Sequence, residues 1–221
     1  NIKDLYLRFQ EVHKLIPIKV IFINNGSYDG TAAELAILVD ESEFAQVIHL
    51  KENLGYGGGI LHGLNKASTD FIGWTHADLQ TNPLDIVSAY NILENRGFDS
   101  NLFIKGRRKN RPLLDTSLSF GMSLFETILF GKMINEVNAQ PTIFHREFLK
   151  TWTNPPSDFS LDLYSYVVAL KNKLNIIKFD VKFLSRKHGS SKWNNGPLSI
   201  LRFIYTTLKF SFSLRIKHFL K

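Results

Sequence analysis

The sharpest candidate for chemistry is the run His76-Ala77-Asp78-Leu79-Gln80. The apolar stretch Phe71 to Thr75 leads into it, and alternation along extended chain sends His76, Asp78 and Gln80 to one side. Imidazole, carboxylate and amide oxygen are each competent to hold a divalent cation, Mn2+ or Mg2+, against a diphosphate. A plainer reading is also open. Pro83 opens a helix just downstream, Asp78 belongs to its N-terminal cap region and His76 is simply exposed.

Two further segments have the composition of a site. Ile21 to Thr31 carries a buried strand into the turn Asn24-Asn25-Gly26-Ser27, whose short side chains can hydrogen-bond a base or ribose. The alternative is an ordinary strand-to-helix turn capped by Asp29 or Thr31. Asn53 to Gly63 is glycine-rich and opens a helix, so its backbone N–H groups could approach phosphate oxygens. A plain flexible loop accounts for it equally. The dinucleotide fingerprint fails, since its third glycine position falls on Ile60 or His62, and no P-loop Lys-Ser/Thr follows.

The elements that must position these residues follow from periodicity. Apolar runs at Lys19 to Ile23, Gln46 to Leu50, Phe71 to Thr75, Leu102 to Lys105, Thr142 to Phe144 and Ile176 to Leu184 predict strands. Helical spacing falls between them, at Thr31 to Val39, Ile60 to Lys66, Leu84 to Leu93 and Leu161 to Leu170. The fold class is therefore α/β with a mostly parallel central sheet flanked by helices. Ligands of such sheets collect at the carboxyl ends of the strands, which is where the segments after Ile23 and Thr75 lie. Ile2, Leu5, Phe9, Val12 and Leu15 share one helical face, so the first element is an amphipathic helix with no strand before it. A leading strand is expected to be missing from this sequence.

Composition narrows the classes. A chain of 221 residues suffices for one α/β domain, here 1–197, and the absence of cysteine excludes a disulfide framework and a thiolate zinc site. A cytoplasmic setting fits. No apolar run is long enough to span a bilayer. The formal charge of +7 is concentrated: residues 181–221 hold nine of the 27 Lys/Arg and none of the 20 Asp/Glu. Leu201, Ile204, Tyr205, Leu208, Phe212, Ile216 and Phe219 recur there at helical spacing among the cations, predicting a basic amphipathic helix over 198–221. Phe210 to Lys217 also alternates as a strand would. The charge suits a polyanion, either an anionic membrane surface or substrate phosphates. Nucleic acid is not expected as a partner, because no binding motif accompanies the charge.

In order and spacing the three segments resemble the inverting family-two glycosyltransferases, especially the polyprenyl-phosphate sugar transferases of the dolichol-phosphate mannosyltransferase type. That family has Asp-Asp-Gly-Ser where this chain has Asn24-Asn25-Gly26-Ser27, and an Asn-x-Gly loop matched by Asn53, Gly55, Gly59 and Gly63. Its metal motif Asp-Ala-Asp-Leu-Gln is matched by His76 to Gln80. Lys105-Gly106-Arg107 is similar to its Gly-Ser-Arg strand end, and Arg186 to Trp193 to its Arg-x-x-Gly-x-Ser-Lys segment. The stretch Asp115 to Ile134 falls where the family places an acceptor-side helix.

The resemblance implies a GT-A-like fold and metal-dependent transfer of a sugar from a nucleotide-diphosphate donor. It implies a nucleotide-sugar site of Asn24, Asn25, Gly26, Ser27, Asn53, Gly55, Gly59, Ala77, Arg107 and Lys192. The implied metal ligands are His76, Asp78 and Gln80, with Asp78 and Asp162 catalytic. The acceptor would be a polyprenyl phosphate or a growing cell-surface glycan, met at the cytoplasmic face of a membrane. A hydroxyl acceptor needs a general base, for which Asp158 and Asp162 are candidates. A phosphate monoester, with a second pKa of about 6, needs none. The departures are also specific. Asn24 and Asn25 stand for two acids, and His76 for a third, a softer ligand that favours Mn2+. These three changes support a rival reading, a catalytically silent binding protein of the same fold.

Overall fold

A computed structural model describes residues 2–109, 113–183 and 197–219. The elements are α1 (Ile2–Leu15), β1 (Val20–Asn25), α2 (Thr31–Val39), β2 (Ala45–Leu50), α3 (Gly55–Lys66), β3 (Phe71–Trp74), α4 (Asp85–Asn95), β4 (Leu102–Lys109), α5 (Leu113–Phe130), β5 (Thr142–His145), α6 (Leu161–Lys171), β6 (Asn175–Lys182) and α7 (Pro197–Phe219). A two-turn 3-10 helix, Arg146–Thr151, follows β5. All six expected strands are present. The basic tail is helical, so the strand-like alternation of Phe210 to Lys217 is overruled by the longer amphipathic period.

The strands form two sheets. β1 and β2 pair in parallel, from Val20 opposite Ala45 to Asn25 opposite Leu50. The other sheet has the order β3-β5-β4-β6. β5 runs antiparallel to both neighbours while β4 and β6 are parallel, so β3, β4 and β6 share one direction. The mostly parallel sheet thus carries one reversed strand at its centre. β1 joins that common direction, because its carboxyl end (Asn25) and that of β3 (through His76) both reach the first turns of α3.

Between β1 and β3 lies an apolar groove of about 960 Å³, lined by both strands, by α1 and by α3. At its carboxyl end it opens on Asn25, Tyr56, Gly59, His76 and Ala77. The two sheets have separate cores. Leu5, Phe9, Phe22, Leu35, Phe44, Ala45 and Leu79 pack together under β1 and β2. The larger core lies under the four-stranded sheet, where Phe103, Phe144, Phe148 and Trp152 meet mostly edge to face. Such pairs add roughly 0.5–1.5 kcal/mol each beyond burial. α6 explains itself by composition: residues 161–169 are buried without a break, which fits a helix that has no polar face to give to water.

Candidate active site

The turn after β1 is built by its two asparagines. Asn24 is buried, its Oδ1 accepts from the Ser27 N–H at 3.1 Å, and its Nδ2 lies 3.1 Å from His49 Nδ1 on β2. Asn25 reaches across to the head of α3: Nδ2 donates to the Gly55 carbonyl (2.9 Å) and Oδ1 accepts from the Leu54 N–H (2.9 Å). Only an amide can both donate and accept here; a carboxylate would face the Gly55 carbonyl with like charge. The substitution of Asn for acid at these positions is therefore locally self-consistent. Gly26 sits at φ +68°, and a Cβ on it would stand 2.6 Å from the backbone of Glu52 and Asn53, so no larger residue fits. Ser27 is exposed, and Asn53 turns its Oδ1 onto the Gly55 N–H at 2.8 Å.

The glycine-rich segment has a packing role. Gly55 to Gly59 belong to the start of α3 itself, five residues before the periodic apolar pattern begins, because glycine carries no hydrophobic signal. Gly58 N–H donates to the Ser157 carbonyl at 2.9 Å. A Cβ on Gly55 would lie 2.6 Å from the Ser157 oxygen, and one on Gly57 2.5 Å from the Pro156 oxygen. Gly59 makes room for Asn25 in the same way. These glycines let loop 155–158 and the β1 turn approach the helix head closely.

The exit of β3 carries the expected constellation only in part. Asp78 Oδ1 accepts from the Gln80 N–H at 3.1 Å, so the two residues close a tight Asx turn. Between them Leu79 adopts φ +60° and is buried in the β1–β2 core, pinning the turn down. A branched residue at positive φ is strained, a condition that concentrates at sites. Ala77 is exposed beside them. His76 lies 5.8 Å from the Tyr56 ring. Burial holds its pKa below the ordinary range; Asp162 and Asp78 pull it upward, and Arg108 and Lys105 push it down.

Behind His76 is a buried polar network that sequence reasoning reached only at Asp162. Asp162 is 1% exposed and fully engaged: Tyr56 donates its hydroxyl to Oδ2 (2.9 Å) and Gln140 Nε2 donates to Oδ1 (3.1 Å). Gln140 also donates to the Tyr56 hydroxyl at 3.0 Å. Lys105 Nζ, fully buried, stands 4.0 Å from Asp162 Oδ1 and donates to the Ala139 carbonyl and Thr142 Oγ1. Desolvation lowers its pKa to about 8, with Asp162 opposing. Burial and the neighbouring Asp162 raise the Tyr56 hydroxyl well above its ordinary range. With both carboxylate oxygens occupied, Asp162 anchors this network. A lysine inside the apolar run Leu102-Phe103-Ile104-Lys105-Gly106 was the available signal for this network.

The arginines divide in a way the sequence reading did not anticipate. β4 continues past Lys105 to Lys109. Arg107 is half exposed and its Nε donates to Asp180 on β6 at 2.5 Å. Arg108 is only 10% exposed, donates to Glu136 at 2.8 Å and contributes to the field at His76. Arg108 is thus the guanidinium whose charge reaches His76. Lys192 and the Arg186 to Trp193 segment lie outside the described residues.

The donor set fits a cation shared with a substrate rather than one held by protein alone. Among the described residues no three His, Cys, Asp or Glu side chains gather closely enough to bind a metal by themselves. Asp78 supplies one carboxylate and His76 a neutral imidazole, the protonation state a ligand requires. Cations at diphosphate sites are commonly held by one or two carboxylates, with phosphate oxygens completing the shell.

Comparison with known proteins places this arrangement. Residues 6–151 match the model for glycosyl transferase family 2. The dodecaprenyl-phosphate galacturonate synthase of Rhizobium johnstonii is 24% identical over 203 residues, covering 90% of this chain and 58% of that protein. A Mycobacterium tuberculosis sequence described as putative glycosyltransferases is 29% identical over 87 residues, 39% of this chain and 25% of its own length. The chain thus spans little more than half of the longer match. Among solved structures, glucosyl-3-phosphoglycerate synthase from Mycobacterium tuberculosis in complex with phosphoglyceric acid aligns with a TM-score of 0.65 at 13% identity, over 98% of this chain and 74% of that one. The same synthase with Mn2+ and UDP-glucose aligns at 0.61 and 14%, over 96% and 83%. At such identity the likeness establishes the fold, which is the GT-A-like fold expected. With the family match running from α1 to the end of the 3-10 helix, the chain belongs to glycosyltransferase family 2.

Proposed function

We propose that this domain transfers a sugar from a nucleotide-diphosphate donor to a polyprenyl phosphate, with inversion at the anomeric carbon. The observation that carries the reading is that Asn25, at the end of β1, and His76, past the end of β3, meet the head of α3 through Gly55 and Tyr56, with Asp78, Lys105 and Arg108 close enough to act on the His76 imidazole. A diphosphate leaving group needs positive charge close by, and the low-polarity surroundings of Lys105 strengthen its field.

In this reading the turn Asn24 to Ser27 flanks the nucleoside, and Asp78, His76 and Gln80 hold a divalent cation against the donor diphosphate. When bound, the cation offsets charge growing on the departing nucleotide. Arg108 presents a guanidinium to phosphate oxygens, a geometry suited to bidentate contact. The acceptor phosphate oxygen forms its bond to the anomeric carbon from the face opposite the diphosphate, and the bond from that carbon to the diphosphate oxygen breaks. No proton has to be removed from a dianionic phosphate, which accords with the full engagement of Asp162. The name of one similar protein, a dodecaprenyl-phosphate galacturonate synthase, supports a lipid phosphate as acceptor.

The test is nucleotide release and product formation with Mn2+ across a panel of UDP- and GDP-sugars, with and without polyprenyl phosphate, beside Asp78→Ala. Release that requires the metal and Asp78, and rises with the lipid phosphate, is the expected result. Binding of a nucleotide sugar without turnover under every condition would replace this reading with the silent binding protein.

A further inference from the structure

We propose that Phe159 is the platform on which the ring of the transferred sugar rests, and that Asp158 beside it selects an uncharged hexose over a hexuronate. This rests on the transfer reading above and names the class of its sugar. Phe159 is 51% exposed, yet it is held in one place. Its ring stacks on Tyr56, with centroids 4.5 Å apart and planes 16° from parallel. Tyr56 in turn meets His76, their centroids 5.8 Å apart, so Phe159 is one ring removed from the imidazole of the proposed cation site.

The backbone that carries Phe159 is clamped to the head of α3. Gly58 N–H donates to the Ser157 carbonyl at 2.9 Å, and a Cβ on Gly57 would stand 2.8 Å from the Asp158 carbonyl oxygen. Asp158 Oδ1 accepts from the Ser160 N–H at 2.9 Å, closing an Asx turn with Phe159 at its centre. Pro155 and Pro156 stiffen the approach to that turn. A phenyl ring on a loose loop buries itself against the nearest apolar surface. This one is kept with one face on Tyr56 and half its area in water, as a ring awaiting a ligand is.

Chemistry selects the occupant. The face of an aromatic ring carries negative partial charge, which attracts the C–H groups along one side of a pyranose. A ring already immobilised offers that contact with little further ordering cost. The donor's sugar hangs from the diphosphate that the proposed function sets at His76 and Asp78, and Phe159 is the next ring after Tyr56 from there. A purely hydrocarbon chain fits less well, because Ser157 and Asp158, both exposed, precede the ring and offer hydroxyl and carboxylate groups that only a hydroxylated ligand can use. The carboxylate also discriminates between sugars. Hydroxyl groups donate to it, whereas a hexuronate sets a second carboxylate against it, and residues 153–160 hold no Lys or Arg to offset the repulsion.

The experiment is calorimetric titration of the 221-residue chain, with Mn2+, against UDP and GDP, the hexose conjugates UDP-glucose, UDP-galactose and GDP-mannose, and the uronates UDP-glucuronate, UDP-galacturonate and GDP-mannuronate. The native chain should bind a hexose conjugate more tightly than the matching uronate. In Phe159→Ala the affinity for that conjugate should fall about tenfold relative to the free nucleotide diphosphate, and Phe159→Trp should keep the native ratio. Asp158→Asn should narrow the gap between hexose and uronate. A Phe159→Ala protein with the native ratio of conjugate to free diphosphate, whether both affinities hold or both fall, makes the ring a packing element and overturns the proposal. So does a native chain that binds the uronate as tightly as the hexose. If the native chain binds no nucleotide at all, the transfer reading fails and takes this proposal with it, an outcome distinct from either of the others.

Discussion

The two sheets meet at the proposed site but hold their halves of it by different means. On the β1–β2 side, position is fixed by neutral amides tied to backbone: Asn24 to Ser27 and His49, Asn25 to Leu54 and Gly55. On the four-stranded side, it is fixed by buried charge, with Lys105 and Asp162 enclosed by Tyr56, Gln140 and the nine-residue buried run of α6. Neutral ties can be lost one at a time, with local consequences. A buried ion pair fails as a unit, because the surviving charge is stranded in a medium that cannot solvate it. Lesions of similar chemical size should therefore unfold one half and merely loosen the other.

The largest effect is expected at Asp162. Asp162→Ala leaves Lys105 buried and uncompensated, and should cost about 3–5 kcal/mol in urea unfolding. Lys105→Met combined with Asp162→Leu should recover much of that loss, since replacing both partners by apolar groups is often nearly neutral. If the double variant is as unstable as the single one, the pair is not what organises this half.

Glu126, between α5 and α7 on the same side, gives a pH-dependent version of the same argument. Burial pushes its carboxyl from 4.5 up to about 7, with the Ser211 hydrogen bond opposing. Above pH 4.5 the unfolded chain has released the proton that the native state still holds, so stability from this group is complete below pH 4.5 and lost as pH rises through 7. The loss should amount to about 3 kcal/mol, absent in Glu126→Gln. Parallel stability-versus-pH curves for the two proteins would refute it.

On the neutral side, Asn25→Asp probes the amide directly. It restores the family's acid but sets a carboxylate against the Gly55 carbonyl, so a loss of about 1–3 kcal/mol is expected. Hydrogen exchange should show that loss confined to the β1 turn and the head of α3, leaving β4 and β5 protected. Faster exchange throughout β4 would erase the distinction between the halves.

These contrasts also explain what the sequence made legible. All six strands and the helices α1, α2, α4 and α6 follow from apolar period, and α2 was expected within the bounds observed, Thr31–Val39. The start of α3 is hidden because four of the five residues from Gly55 to Gly59 are glycine, and Tyr56 alone cannot show a period. The reversed direction of β5 was hidden because strand direction is set by tertiary pairing, not by composition. At the site, the segments that supply Asn25, His76 and Asp78 were visible as polar runs after strands. Tyr56 and Gln140 were not, since their role depends on contacts across 106 and 22 residues of sequence to Asp162.

The smallest expected effect discriminates two neighbouring arginines. Arg107 and Asp180 face each other at one register position of β4 and β6, both about half exposed, and an ion pair in water contributes only about 0–1 kcal/mol. Arg107→Ala should therefore leave both stability and sugar transfer nearly unchanged. Arg108→Ala, one residue on, removes the largely buried guanidinium tied to Glu136 and should abolish most transfer, with a rise in donor KM if it contacts the diphosphate. Should the pair behave in reverse, with Arg107→Ala inactive and Arg108→Ala competent, then β4 must turn its end when the donor binds, and the charge that serves the leaving group would come from the solvent-facing strand edge instead of the buried one.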